Sequence, residues 1–111
     1  ENGYIFYDGG GSVYLMGYVG TNTELVLPET SPKGKTYTIY QYAFYNCTRL
    51  TSIMIPSSVT NIGNSAFSGC TGLKDIYYPG SQSAWDTISK GYYWNSNTGS
   101  YTIHYNYKPE E

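Results

Sequence analysis

The sequence predicts a β-rich, mixed α/β solenoid in which short parallel strands face a wall of tight turns or 3-10 segments. A pattern of apolar and small residues recurs after 23 positions, as from Phe44 to Phe67, and each copy contains a stretch that alternates with the period of two typical of a strand. Fifteen residues are Tyr and only 13% are charged, a composition that favours short strands and turns over long helices.

Two windows, residues 39–56 and 62–79, carry the recurrence. The identical pairs are Ile39/Ile62, Ala43/Ala66, Phe44/Phe67, Cys47/Cys70, Thr48/Thr71, Leu50/Leu73, Ile53/Ile76 and Pro56/Pro79. Because nearly all of these residues are apolar or small, we expect them to point inward. One such unit cannot bury its apolar face alone, so neighbouring coils must stack to form a shared core.

Each unit divides into a strand and a turn. In residues 52–56 positions that face solvent alternate with positions that face the core, and the final proline ends the strand because it has no N–H group to pair. The Ala-Phe-x-x-Cys stretch is flanked by Asn46 or Gly69, which indicates a tight turn or a single helical turn. We expect this turn to drive Phe44 and Phe67 into the interior.

The full pattern, Ile-x-x-x-Ala-Phe-x-x-Cys-x-x-Leu-x-x-Ile-x-Ile-Pro, resembles the BspA-like, Treponema-type leucine-rich repeat of bacterial surface proteins. Residues 58–63, Ser-Val-Thr-Asn-Ile-Gly, join the two units as in that family. Residues 17–39 resemble a first coil widened by five residues, and residues 80–88 and 101–106 resemble a closing segment. The resemblance covers nearly the whole chain and implies a leucine-rich-repeat solenoid.

A solenoid must protect its two ends, and both ends of this sequence carry the residues for a cap. We expect a single domain over residues 1–111, with an N-terminal hairpin cap in 1–20, repeat coils in 21–79 and a C-terminal cap in 80–111. Glycines 9–11 suit a hairpin turn. Ser83 is predicted to cap a short helix, with Asp86 three residues later, which places Trp85 and Ile88 against the last coil.

Charge and length exclude several classes of protein. Six basic and eight acidic residues give a net charge of -2 without a basic cluster, so nucleic acid is not an expected partner. No apolar stretch is long enough to span a membrane, and no secretory signal is visible. Because the chain begins at Glu1, we expect a mature product or a piece of a longer polypeptide.

Catalytic and metal motifs are missing from the sequence. The chain has one histidine, and neither cysteine has a histidine or cationic partner at a recognisable spacing. The carboxylates of Asp8, Asp75 and Asp86 fall in a predicted turn, strand and cap, where solvated groups are the better interpretation than a glycosidase pair. Glycines 9–11 lack the following helix of a phosphate cradle. We therefore expect no enzyme, metal or cofactor.

Cys47 and Cys70 occupy equivalent repeat positions, so their backbones should lie about 4.8 Å apart, one strand spacing. This separation permits a disulfide. We favour two buried free thiols instead, because small residues at such a position fill the turn as a stacked ladder and a bridge needs particular Cβ directions. Both states remain open at this point.

Strand alternation predicts which side chains face outward and form a ligand-binding face. Aligning the strands gives two rows. One row is Glu24, Ser52, Asp75 and Thr102, and the other is Val26, Met54, Tyr77 and His104. Four strands span only about 15 Å, so the area of this face is well below the roughly 800 Å² per partner of a stable interface. We therefore expect weak binding that becomes stronger when many copies are displayed together.

The resemblance implies a non-catalytic binding or adhesion module that is secreted or held at the cell surface and engages host or partner-cell proteins through this face. The alternative is a glycan-binding module or a structural spacer of a larger secreted protein. Tyr92, Tyr93 and Trp94 form a loop of aromatic residues that can stack on sugars. Packing of this loop into the cap is the somewhat favoured interpretation.

Overall fold

The computed structural model describes residues 3–108, which form a β-hairpin followed by a short stack of coils. The strands are β1 Tyr4–Gly9, β2 Ser12–Tyr18, β3 Glu24–Val26, β4 Thr38–Ile39, β5 Ser52–Met54, β6 Asn61–Ile62, β7 Asp75–Tyr77, β8 Ser89–Lys90 and β9 Thr102–His104. The helix α1 is Gln82–Asp86. The architecture confirms the predicted solenoid of short parallel strands.

Two sheets enclose the core. Strands β3, β5, β7 and β9 form a four-stranded parallel sheet in chain order, and β1, β2, β4, β6 and β8 form the second sheet, which is parallel apart from the hairpin. The segments that join the repeats were expected to be connections, yet they supply the two-residue strands of the second sheet. Strands of two residues are too short to show an alternating pattern, so the sequence gives no signal for them.

The residues that recur at 23 positions lie one above the other, as predicted. Ile53 pairs with Ile76 between β5 and β7, and Ile39 pairs with Ile62 between β4 and β6. The rings of Phe44 and Phe67 stack with centroids 5.1 Å apart and planes only 2° from parallel. Stacked apolar residues from successive coils therefore form one continuous core.

The turns between the sheets repeat in backbone conformation three times. Positive φ angles occur at Tyr42, Ser65 and Tyr93, and again at Asn46, Gly69 and Asn97. Amide groups of one turn donate to carbonyls of the next, with Phe44 N bonded to Ala66 O at 2.7 Å and Phe67 N bonded to Trp94 O at 2.8 Å. Residues 92–97 thus form a third copy of the turn in a stretch whose letters do not match the first two copies.

Both ends of the stack carry the expected caps. At the front, β1 and β2 pair as an antiparallel hairpin whose turn places Gly10 and Gly11 at positive φ, where a side chain would be strained. At the back, Trp85 of α1 and Ile88 are buried against the last coil. The hairpin and the short helix protect the apolar surfaces that stacking alone would leave open.

The residue that caps α1 differs from the prediction. Ser81, not Ser83, is the N-cap, and its hydroxyl accepts a hydrogen bond from Ala84 N at 3.1 Å. Ser83 lies inside the helix, and Asp86 lies at its last residue rather than in its first turn, so the predicted capping box does not form. The helix begins two residues earlier because Ser81 is the first residue after Gly80 whose side chain can cap it.

Candidate functional site

The outer face of the four-stranded sheet holds the eight predicted site residues, and the strand register places them in two rows. The first row is Glu24, Ser52, Asp75 and Thr102, and the second is Val26, Met54, Tyr77 and His104. Between these rows the central residues of the strands face the core, so the flanking residues of each three-residue strand must face outward. We call this surface the sheet face.

Three aromatic side chains gather at the C-terminal end of the sheet face. The Tyr77 ring stacks on the His104 imidazole, with centroids 4.7 Å apart and planes 16° from parallel, and lies 4.6 Å from the Tyr107 ring. His104 Nε2 lies 2.8 Å from an Asp75 carboxylate oxygen, within hydrogen-bonding distance. The Tyr77 ring is therefore packed between His104 and Tyr107, and the three rings form an aromatic edge of the sheet face.

Tyr107 belongs to this surface although the sequence analysis did not single it out. The chain turns back after β9 at Asn106, whose φ of 56° is one that asparagine adopts more readily than most residues. Tyr107 N then donates to Tyr78 O at 3.0 Å, which anchors the returning segment beside β7. An asparagine between two tyrosines just after a strand was the available signal for this turn.

The sheet face is concave rather than flat. A depression of about 530 Å³ lies over its centre and is lined by Glu24, Leu25, Val26, Thr51, Ser52, Met54, Lys74, Asp75, Tyr77 and Tyr107. Six of the eight predicted residues are therefore brought together around one depression. Thr102 and His104 lie outside its lining, at the edge formed by β9.

The charges on this surface act on Tyr77. Desolvation and the negative charges of Asp75 and Glu24 raise the pKa of the Tyr77 hydroxyl above its usual value. A tyrosine hydroxyl is already protonated at physiological pH, and this shift strengthens that state, so the Tyr77 hydroxyl can donate a hydrogen bond to a ligand. With Lys74 at the rim, the depression offers an anionic side, a cationic group and an aromatic wall.

The three carboxylates considered for catalysis lie on different elements and have different neighbours. Asp8 on the hairpin pairs with Lys35, with 3.3 Å between Nζ and Oδ1, and Asp75 on β7 contacts His104. Asp86 is the last residue of α1. They lie on the hairpin, a strand and the cap, as predicted, but Asp8 is not the solvated group that the sequence analysis expected, because its side chain is only 21% exposed and its Oδ2 is buried.

Cys47 and Cys70 are both free thiols in the structure, but only Cys70 is buried; Cys47 is half-buried, contrary to the expectation of two buried thiols. Cys70 Sγ lies 3.1 Å from the Phe44 carbonyl oxygen and can donate to it. The adjacent Cys47 thiol and burial raise the pKa of Cys70, while the adjacent Cys70 thiol lowers the pKa of Cys47. Cys47 is therefore the thiol that ionises first, and the preference for free thiols over a bridge stays a prediction.

The aromatic loop predicted at residues 92–94 is divided between surface and core. Tyr92 and Tyr93 are 78% and 72% exposed. Trp94 packs edge-on against Phe67, with ring centroids 6.2 Å apart, and lies 6.1 Å from Trp85. Trp94 therefore closes the core of the last coil, and only the two tyrosines are available to a ligand.

Within residues 3–108, no group of three or more histidine, cysteine, aspartate or glutamate side chains is placed to hold a metal ion. No helix in the described part of the chain has the length and apolar character needed to cross a membrane.

Comparison with known proteins supports the fold and the repeat pattern. Residues 23–109 match six copies of the BspA type leucine-rich repeat region. Among curated proteins no match was found.

Three solved structures of bacterial proteins match this chain. A leucine-rich cell surface protein of Faecalibacterium prausnitzii is 26% identical with a TM-score of 0.66, and the match covers 82% of this chain and 25% of that one. The Treponema pallidum leucine-rich repeat protein is 28% identical with a TM-score of 0.57, covering 68% and 40%. A Bacteroides capillosus leucine-rich repeat protein, 22% identical with a TM-score of 0.62, covers 95% of each chain and shares the fold. The chain spans less than half the length of the first two proteins.

Proposed function

Because the chain belongs to the BspA-type leucine-rich repeat family, we propose that it is a non-catalytic surface module that binds proteins through the sheet face. The match to the repeat family and the similarity to the leucine-rich cell surface protein of F. prausnitzii support a role in interactions at a surface. Host or partner-cell surface proteins are the proposed partners, and secretion or display at the cell surface is the proposed location. Repeat folds of this kind are in general binding scaffolds rather than enzymes.

The observation that carries the proposal is the depression over the sheet face. It combines an exposed apolar side chain, Val26, with the aromatic edge of Tyr77 and Tyr107 and with charges of both signs. Buried aromatic anchors surrounded by polar groups are the usual source of binding energy in protein interfaces. A side chain of a partner that enters the depression would contact the Tyr77 ring and the carboxylates together.

The size of the sheet face sets the expected strength of binding. The four strands give the sheet face a width of about 15 Å. The area of such a narrow surface is smaller than the roughly 800 Å² per partner that a stable interface requires. A single copy should therefore bind weakly and dissociate quickly. Several copies on one polypeptide or one surface would bind tightly through high effective concentration.

The test is binding of the chain, displayed in many copies on a sensor surface, to a panel of purified secreted and cell-surface proteins. We expect at least one to bind, and Tyr77→Ala to weaken its binding about tenfold, the loss typical of an aromatic anchor. Tyr45→Ala serves as a matched control, because Tyr45 is an exposed tyrosine away from the sheet face. Equal binding by the wild-type and Tyr77→Ala chains, or no protein ligand at all, would exclude the sheet face as the binding surface.

A further inference from the structure

A second depression lies on the outer face of the five-stranded sheet, on a different surface from the sheet face. Three residues at equivalent positions of successive coils form its floor: Tyr40, Gly63 and Gly91. Their backbone amides donate to the carbonyl oxygens of Leu15, Ile39 and Ile62 at 3.0, 2.8 and 2.8 Å, respectively. Where the first coil carries a tyrosine, the next two carry glycine. The result is a trough of about 320 Å³ that runs across two coils, a length of about 10 Å.

The glycines of the floor are required by coil stacking. A Cβ atom at Gly63 would lie 2.5 Å from Gln41 N, and one at Gly91 would lie 2.6 Å from Asn64 N. Both contacts involve backbone atoms and cannot be relieved by a side-chain movement. The two glycines therefore let successive coils approach closely, and this packing fixes the backbone that forms the floor of the trough.

Aromatic rings form one end of the trough. The Tyr14 and Tyr40 rings, which line it, contact each other edge-on with centroids 4.9 Å apart. The Tyr7 ring continues the row 6.2 Å from Tyr14 and is 54% exposed. Three adjoining tyrosines thus lead from the hairpin into the trough and present ring surface to a ligand that lies along it.

Neutral polar groups form the sides of the trough. Thr38, Asn61 and Ser89 border one side, and Gln41 and Asn64 border the other. Asn64 Oδ1 accepts a hydrogen bond from Tyr92 N at 2.8 Å, which orients the carboxamide and leaves its NH₂ group to donate elsewhere. The trough therefore offers amide and hydroxyl groups that can both donate and accept.

No residue that lines the trough carries a formal charge, in contrast to the sheet face with Glu24, Lys74 and Asp75. Lys90 lies on the last strand of the trough, but its ammonium group donates to Trp85 O and Ile88 O at 2.9 and 3.1 Å. That charge is used to cap the carbonyl end of α1. An ionic ligand in the trough would lose hydration without gaining a charged partner.

We propose that this trough binds a neutral oligosaccharide, with sugar rings packed on Tyr14 and Tyr40 and sugar hydroxyls bonded to the amide and hydroxyl groups of the two sides. The C–H face of a sugar is apolar and packs on aromatic rings, and its hydroxyls match groups that both donate and accept. A purely apolar ligand would instead cover these exposed amides and leave them without hydrogen-bond partners. The chain then has two binding surfaces, one for protein and one for carbohydrate.

The experiment measures binding of the whole chain to a panel of immobilised neutral hexose oligosaccharides, with uronic-acid and sulfated oligosaccharides as charged comparisons. We expect at least one neutral oligosaccharide to bind and the charged ones to bind more weakly. Tyr40→Ala should reduce binding about tenfold, the loss expected from one aromatic contact. Asn61→Ala, at an exposed position that cannot disturb the core, should reduce it as well.

Two matched variants separate this proposal from the protein-binding surface. Tyr45→Ala and Tyr77→Ala lie outside the trough and should bind the oligosaccharide like the wild-type chain. Circular dichroism of each variant establishes that it is folded. Absence of any neutral ligand, a preference for the charged oligosaccharides, or unchanged binding by folded Tyr40→Ala and Asn61→Ala would overturn the carbohydrate site and leave the sheet-face proposal untouched.

Discussion

Phe67 sits at the centre of the aromatic column that runs through the coils. Its side chain is fully buried, stacks on Phe44 on one side and meets Trp94 edge-on on the other. Each neighbour is held in its own coil by backbone hydrogen bonds to the adjacent turns, so neither can move into an empty space. The column therefore behaves as a rigid packing unit.

Replacement of Phe67 by alanine should lower the free energy of unfolding by about 3–5 kcal/mol, because it leaves a cavity between coils that cannot collapse. Urea unfolding followed by circular dichroism measures this loss. His104→Ala is the comparison, since His104 is partly exposed and its contact with Asp75 lies at the surface. We expect that variant to lose less than about 1 kcal/mol. Equal losses in the two variants would contradict the orientation of β9.

The individual site residues were predictable where strand alternation applies. Residues of β5 and β7 were placed on the outer face from the sequence because neighbouring positions are Ile and clearly inward. Tyr107 was not, since it lies after the last strand and reaches the site through a turn at Asn106. Alternation says nothing about residues beyond the strand that carries it.

The short helix α1 shows what a single capping residue contributes to an element. Five residues are too few for a helix that is stable by itself, so its N-cap and its buried tryptophan must hold it. Ser81 provides the cap, and Thr87 at the other end donates its hydroxyl to Ala84 O at 2.6 Å.

Ser81→Ala should therefore lower the free energy of unfolding by about 1 kcal/mol. Ser83→Ala is the matched control, because it makes the same chemical change two residues later, inside the helix, and should have almost no effect. Thermal denaturation of both variants gives the comparison. A larger loss for Ser83→Ala than for Ser81→Ala would mean that the helix begins at the later serine.

The sequence predicted which elements exist better than where they begin. Ser81 and Ser83 both precede Trp85 at a distance compatible with a cap, so the sequence alone does not distinguish between them. The third turn, residues 92–97, escaped the repeat search because Trp-Asn replaces Ala-Phe there. Its recurrence lies in backbone angles, positive at Tyr93 and Asn97 as at the equivalent earlier residues, and not in residue identity.

At the scale of the whole molecule, stability depends on covering the apolar core at the two ends of the stack, where no further coil packs against it. The core continues from the hairpin to the last coil, where Trp85 covers it and contacts Tyr78 and Trp94 at ring distances of 5.1 and 6.1 Å. Lys90 Nζ lies 4.9 Å above the Trp85 ring and adds a cation–π contact. Trp85 therefore closes the C-terminal end of the core together with Trp94.

Trp85→Ala should lower the free energy of unfolding by about 3–5 kcal/mol and expose the end of the core. Urea unfolding measures the first effect, and binding of a hydrophobic fluorescent dye to the native state measures the second. Tyr92→Ala, which removes an aromatic ring that is already exposed, should change neither quantity. Unchanged dye binding in folded Trp85→Ala would show that another part of the chain closes this end.

Because every coil contributes one strand to each of the two sheets, the sheet face and the oligosaccharide trough cannot change length independently. Duplication of one 23-residue unit in a gene would lengthen both surfaces together, by about 4.8 Å each. The number of units would then determine the length of the protein-binding surface and of the carbohydrate-binding surface at the same time.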